Sequence, residues 1–107
     1  MISSDVIRGY NDTMILYLLL NGSSYGYEIS KKIQLLTDNK YIMKETTLYS
    51  AFTRLERNGH IKSYYGNDPG DRRTYYMITS DGINYYKEKC FEWELTKEVV
   101  KKFIKEV

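Results

Sequence analysis

The sequence predicts a mainly α-helical protein with one small β-hairpin, an α+β fold class, on three observations. Apolar residues recur every three or four positions in four separate stretches, the spacing of helices with one buried face. Between the third and fourth stretches lie two short runs rich in Tyr, Ile and Thr, Ile61 to Tyr65 and Thr74 to Thr79, which read as strands. The single proline, Pro69, falls between those runs, so proline breaks none of the helices.

The first helix is expected over residues 5 to 21. Ile7, Tyr10, Met14 and Tyr17 form one apolar stripe, and Ile15, Leu18 and Leu19 form a second beside it, so this helix needs two packing partners. Asn21-Gly22 ends it, and Ser23 and Ser24 offer caps for a second helix from about Tyr25 to Leu36. Ile29, Ile33 and Leu36 are its inward residues, and Tyr25 and Tyr27 are expected to bury their rings while keeping their hydroxyls in water.

The third helix spans Thr46 to Arg57. Leu48, Phe52 and Leu55, with Ala51 beside them, make its core face; Thr47, Tyr49, Ser50, Thr53, Arg54 and Arg57 make the opposite one. Asn58-Gly59 stops it with residues suited to a left-handed cap. Gly66 to Asp71 is a turn cluster too long for a tight hairpin. Strand alternation points Tyr76 and Ile78 inward and Tyr75 outward, and sends Arg72 and Arg73 to opposite faces. The last helix starts at Thr79 or Ser80, both good caps, and is expected to continue to Val107.

Composition bounds the function. A chain of 107 residues with 42% hydrophobic and 28% charged residues is ordinary globular material of one-domain size. Its longest apolar run, Met14 to Leu20, is interrupted by Tyr17 and is far short of the roughly 20 residues a membrane span needs. No basic flank leads into an apolar run at the N-terminus, so export is not expected and the cytoplasm is the expected compartment. One cysteine, Cys90, and one histidine, His60, supply neither a disulfide nor a Cys/His zinc site, and no cofactor or metal is expected. Cys90 reads as a small apolar filler of the last helix, and His60 as a partly exposed residue at a helix–strand junction. No glycine-rich phosphate loop and no Ser/His/Asp set is present, so no enzyme is expected.

The order helix, helix, helix, hairpin, helix is that of a winged helix-turn-helix with an added C-terminal helix: residues 1–79 form the first unit and residues 80–107 a dimerisation helix. Such a unit lays its second helix in the DNA major groove, here Thr46 to Arg57. The candidate DNA contacts are Thr46, Thr47, Tyr49, Ser50, Thr53 and Arg54 on that helix, with Lys62, Arg72 and Arg73 flanking it from the hairpin. Hydroxyls and guanidiniums are the groups that hold phosphates and read base edges. Four of the five arginines fall in this helix and hairpin. A net charge of +2 does not decide between double-stranded DNA and a purely protein-binding winged helix, so that alternative stays open.

Linked motifs narrow the field. Tyr25-Gly26-Tyr27-Glu28-Ile29, Thr47-Leu48-Tyr49, Arg54-Leu55-Glu56 with Gly59, Arg72-Arg73-Thr74-Tyr75-Tyr76 and Thr79-Ser80-Asp81-Gly82 follow one another in order. The set resembles the PadR-like family of bacterial transcriptional regulators, in its short subfamily with a single C-terminal helix. His60 departs from the apolar residue usual there, and Ser23-Ser24 from the usual proline. The resemblance implies a homodimeric winged-helix repressor of detoxification, efflux or phenolic-acid genes, bound to promoter DNA at an inverted repeat.

Two expectations concern the second copy. Ile7, Tyr10 and Met14 on the first helix, and Trp93, Val100 and Phe103 on the last, exceed what a small winged helix can cover, and pairing under two-fold symmetry would bury them. Drug-responsive members of the resembled family carry a tryptophan at the position of Trp93, paired across the two-fold axis around flat aromatic ligands. Trp93 is therefore read either as the wall of a site for a planar aromatic effector, with the small Gly9 and Thr13 making a notch for the partner's indole, or as a dimer-core tryptophan that binds no ligand. Asp12, and Glu92 or Glu94, would favour a cationic ligand.

Overall fold

The N-terminal stretch does not fold as one helix. In the computed structural model, which describes residues 2–107 and so leaves Met1 of the expected DNA-binding unit outside, α1 (Ser4–Ile7) is a single turn. Arg8–Tyr10 tightens into a 3₁₀ turn, and α2 (Asn11–Leu19) follows. Gly9 lies in the tight turn, where a poor helix former makes the break inexpensive. Tyr10 leaves helical geometry at φ −115°, ψ −2°. The break lets the Tyr10 ring meet Trp93 edge-on, centroids 5.1 Å apart. Next to it, buried Asn11 accepts a hydrogen bond from the Tyr41 hydroxyl at 2.7 Å.

A strand that the sequence pattern does not announce comes next. β1 (Ser24–Tyr25) precedes α3 (Gly26–Leu36), and two residues are too few to show a period. After α4 (Glu45–Arg57) come β2 (Ile61–Tyr65) and β3 (Thr74–Ile78), and the three strands form an antiparallel sheet in the order β1-β3-β2. Ser24 pairs with Tyr76 and Tyr25 with Tyr75, while Ile61 pairs with Ile78 and Tyr65 with Thr74. Ser24 is thus a strand residue and not a helix cap; its hydroxyl donates to Glu28 Oε1 at 2.5 Å.

The core gathers Ile15, Leu16 and Leu19 of α2, Ile29 and Ile33 of α3, Leu48, Ala51, Phe52 and Leu55 of α4, and Ile61 and Tyr76 of the sheet. Phe52 stacks on Tyr76 with centroids 3.9 Å apart, which fixes α4 against the inner face of the sheet. Leu36 and Tyr27 depart from expectation: both are largely exposed on α3. Between α3 and α4, Asp38 and Asn39 take left-handed backbone angles, a conformation their short polar side chains tolerate. The Thr37 hydroxyl accepts the N–H of Tyr41 at 3.2 Å, and Tyr41 and Met43 turn into the core.

α5 (Ser80–Lys101) is set on the winged unit through a tight junction. Thr79 caps it, accepting from the Gly82 N–H at 3.0 Å and donating to the Gly59 carbonyl at 2.6 Å. Gly82 is pressed onto the chain after α4: a Cβ there would lie 2.0 Å from the His60 carbonyl oxygen. The His60 ring, half-buried, stacks on Tyr85 at 4.1 Å, and its buried Nδ1 has no hydrogen-bond partner among the described residues. The helix does not reach Val107. It closes in i→i−3 bonds from Lys102 to Val99 and from Phe103 to Val100, because past Trp93, which meets Tyr10, its apolar side chains are exposed and its end rests on local propensity. Cys90 is half-buried next to Tyr86, whose phenol is pushed up to about 12, first by the thiol and then by burial.

Candidate nucleic-acid interface

α4 is built to show one polar face. Its apolar residues all lie on the core side, leaving Thr46, Ser50, Thr53 and Arg57 on the side turned outward. Thr46 and Ser50 make no side-chain hydrogen bond among the described residues, whereas Thr53 donates to the Tyr49 carbonyl at 3.0 Å. Thr47 is half-buried. The Tyr49 ring meets Phe52 edge-on at 5.6 Å, and its hydroxyl lies over Gly26, 2.6 Å from where a Cβ would be. Its tip therefore lies against the start of α3, while the residue as a whole stays exposed. Glu56 accepts from the N–H of Ser63 at 3.1 Å and from its hydroxyl at 2.5 Å, which locks the end of α4 to β2.

The arginines divide into engaged and free. Arg54 does not project from the outward face: it sits on the flank of α4 toward α2 and holds both carboxylate oxygens of Asp12. That pairing raises its pKa further, the hydrogen bond to Asp12 being the main cause. Arg73, at the base of the β2–β3 wing, is bound by Asp71. Arg57 and Arg72 are exposed and make no ion pair among the described residues. Lys62 is exposed as well, but register and alternation put it with Tyr64, Tyr75 and Met77 on the outer face of the sheet, away from α4. Tyr75 is not the free outward residue expected, since Tyr25 and Tyr64 flank its ring at 5.5 and 5.6 Å.

Residues 15–88 match the family model of the transcriptional regulator PadR-like family. The chain belongs to the PadR-like family. A transcriptional regulator from Clostridium thermocellum is 69% identical, with a TM-score of 0.91 over 95% of this chain and 100% of that one. A PadR family transcription regulator from Clostridium difficile is 38% identical, with a TM-score of 0.74 over 88% of this chain and 97% of that one. An uncharacterised protein from Lysinibacillus sphaericus is 46% identical over 105 residues, 97% of this chain and 96% of its own. PadR-like proteins are DNA-binding transcriptional regulators and not enzymes, which settles the choice against a protein-only interaction module. Among the described residues no helix is long and apolar enough to cross a membrane.

In this PadR-like chain the residues expected around an effector do not meet in one pocket. Gly9 faces open space, Asp12 is occupied by Arg54, and Trp93 packs on Tyr10 of its own chain with Lys97 over its ring at 5.7 Å. Glu92 and Glu94 are taken by Lys89 and Lys97. Thr13 instead lines an apolar cleft of about 220 Å³ between α2, α3 and α5, with Met14, Tyr17, Leu36 and Tyr86. Sequence reasoning missed this cleft because its walls come from three helices whose relative placement no local pattern encodes.

The Asp71–Arg73 pair makes the wing acid-sensitive. The Arg73 side chain, then its backbone N–H, hold the Asp71 carboxyl down at about 2. A lowered carboxylate contributes above its ordinary value near 3.8 and loses that contribution as pH falls through the folded value. Acidification from about pH 4 to about pH 2 should therefore release the Tyr75 ring, seen as a shift of its NMR signals. Asp71→Asn should show the released signals already at neutral pH; identical spectra would contradict the pairing.

Proposed function

We propose that the chain is a homodimeric repressor that binds an inverted repeat in promoter DNA and is released by a small planar aromatic effector, acting in the cytoplasm. The observation that carries the DNA half of this reading is the outward face of α4, where hydroxyls and Arg57, which makes no ion pair among the described residues, stand on a helix anchored by Leu48, Phe52 and Leu55. Thr46, Thr47, Tyr49, Ser50 and Thr53 are the base-edge and backbone contacts, and Arg57 and Arg72, with Lys62 further out, the phosphate contacts. Arg54 serves by holding α4 to α2 through Asp12 and not by touching DNA first.

The dimer half rests on α5. Phe91, Leu95, Val99, Val100, Phe103 and Ile104 are all exposed, and Trp93 is 42% exposed, an apolar surface that a second copy would cover. Residues 1–79 then serve as the DNA-binding unit and 80–107 as the dimerisation helix. Ile7, Tyr10 and Met14 belong to the same interface, and Gly9, which faces open space, and Thr13 would meet the partner's last helix there. Two-fold pairing sets the two α4 helices about 34–36 Å apart, one duplex turn. The effector would enter beside Trp93, where the dimer is closed. Titration of the duplex upstream of the protein's own gene tests the reading: one dimer should bind per inverted repeat, with affinity falling steeply as salt rises.

A further inference from the structure

We propose that Arg73 is a positioning residue that holds the wing in shape, and that its neighbour Arg72 carries the phosphate contact. The inference rests on the DNA interface proposed above and assigns two adjacent, chemically identical side chains to different work.

The Arg73 side chain is 52% exposed, yet its Nε–H and Nη2 are committed to Asp71 and its plane to two rings. Asp71 Oδ1 accepts its backbone N–H and its Nε–H, both at 3.0 Å, and Asp71 Oδ2 accepts from Nη2 at 3.2 Å. The same Oδ2 accepts the Tyr75 hydroxyl at 2.9 Å. The guanidinium carbon lies 4.5 Å from the centre of the Tyr25 ring and 5.4 Å from that of Tyr75, within cation–π range of both. Asp71 has its place because residue 66 is glycine: a Cβ there would stand 2.4 Å from Oδ2. The planar fork of arginine satisfies two carboxylate oxygens and stacks on two rings at once, which an ammonium cannot do. Through Tyr25, the last residue of β1, the clamp ties the wing base to the start of α3. Arg72 makes no hydrogen bond or ion pair among the described residues and is exposed beside the clamp.

The two roles predict opposite signs for one substitution. If Arg73 touched phosphate, Asp71→Asn would free it, remove a negative charge and tighten binding. As a positioning residue it loses its anchor, so Asp71→Asn should weaken duplex binding by about fivefold while leaving the dependence on salt unchanged. Arg73→Lys should behave in the same way, with no rescue by the retained charge. Arg72→Ala should instead lower the slope of log affinity against log salt by about 2, the mark of one lost phosphate contact at each half-site of the dimer. NMR of the free protein supplies a readout independent of DNA: the Arg73 Nε–H signal and the Tyr75 ring shifts should be lost together in Asp71→Asn. Tighter, more salt-dependent binding by Asp71→Asn, or rescue by Arg73→Lys, would overturn the proposal. An unaltered wing spectrum in Asp71→Asn would overturn it too, whereas wild type that binds no duplex while the wing spectrum changes would refute the DNA interface and leave the clamp standing.

Discussion

Gly82→Ala should lower the melting temperature by about 10 °C, because one methyl group has nowhere to go. It would be built 2.0 Å from the His60 carbonyl oxygen, 2.8 Å from Ile78 Cγ1 and 3.0 Å from the His60 carbonyl carbon. The first two of those contacts are too close to exist, and backbone does not rotate away as a side-chain tip does. α5 must lift from the end of α4, straining the Thr79 cap and the His60–Tyr85 stack. Overpacking of this kind costs about 1–3 kcal/mol, and each kcal/mol moves the midpoint of a domain this size by about 4–8 °C. Thermal unfolding followed by circular dichroism reads it directly, with exposed Asp81→Asn as a control expected to change little.

Removing residues 91–107 should leave a folded monomer that binds its duplex at least about a hundredfold more weakly, since two linked half-site contacts become one. Tyr85 and Tyr86, the part of α5 that packs on the core, remain in the shortened chain. What is lost is the stretch from Phe91 to Ile104, whose apolar side chains cover little of their own domain. Tyr10 loses the Trp93 ring, a contact of about 0.5–1.5 kcal/mol, too small to unfold the protein. Sedimentation equilibrium separates the outcomes. A shortened chain that still sediments as a stable dimer would reject α5 as the dimerisation element.

The sequence carries the parts of this fold that repeat with a period or stop with a chemical mark. α4 was legible because Leu48, Phe52 and Leu55 recur on one face and Gly59, at φ 78°, ends it. The β2–β3 hairpin was legible from its Tyr, Ile and Thr runs. β1 was not, since two residues show no alternation, and neither was the break at Tyr10, whose ring meets Trp93 far along the chain. The site was legible only in outline. A helical wheel places Arg54 near the polar face, yet Asp12, 42 residues earlier, decides where its side chain points. Arg72 and Arg73 look alike in sequence; only the folded sheet, which brings Tyr25 next to Tyr75, distinguishes them. Pairings between side chains distant in sequence are set by packing, and packing leaves no periodic trace.

The face of α4 and the wing are tested most directly by the salt dependence of binding to the duplex upstream of the gene, measured for wild type, Arg57→Ala and Arg72→Ala. Each phosphate contact that is lost should lower the slope of log affinity against log salt by about 1 per arginine removed at a half-site. Shallower slopes in both variants, with unfolding curves matching wild type, are the predicted result. Wild-type slopes and affinities in both would contradict the assignment of this face to DNA.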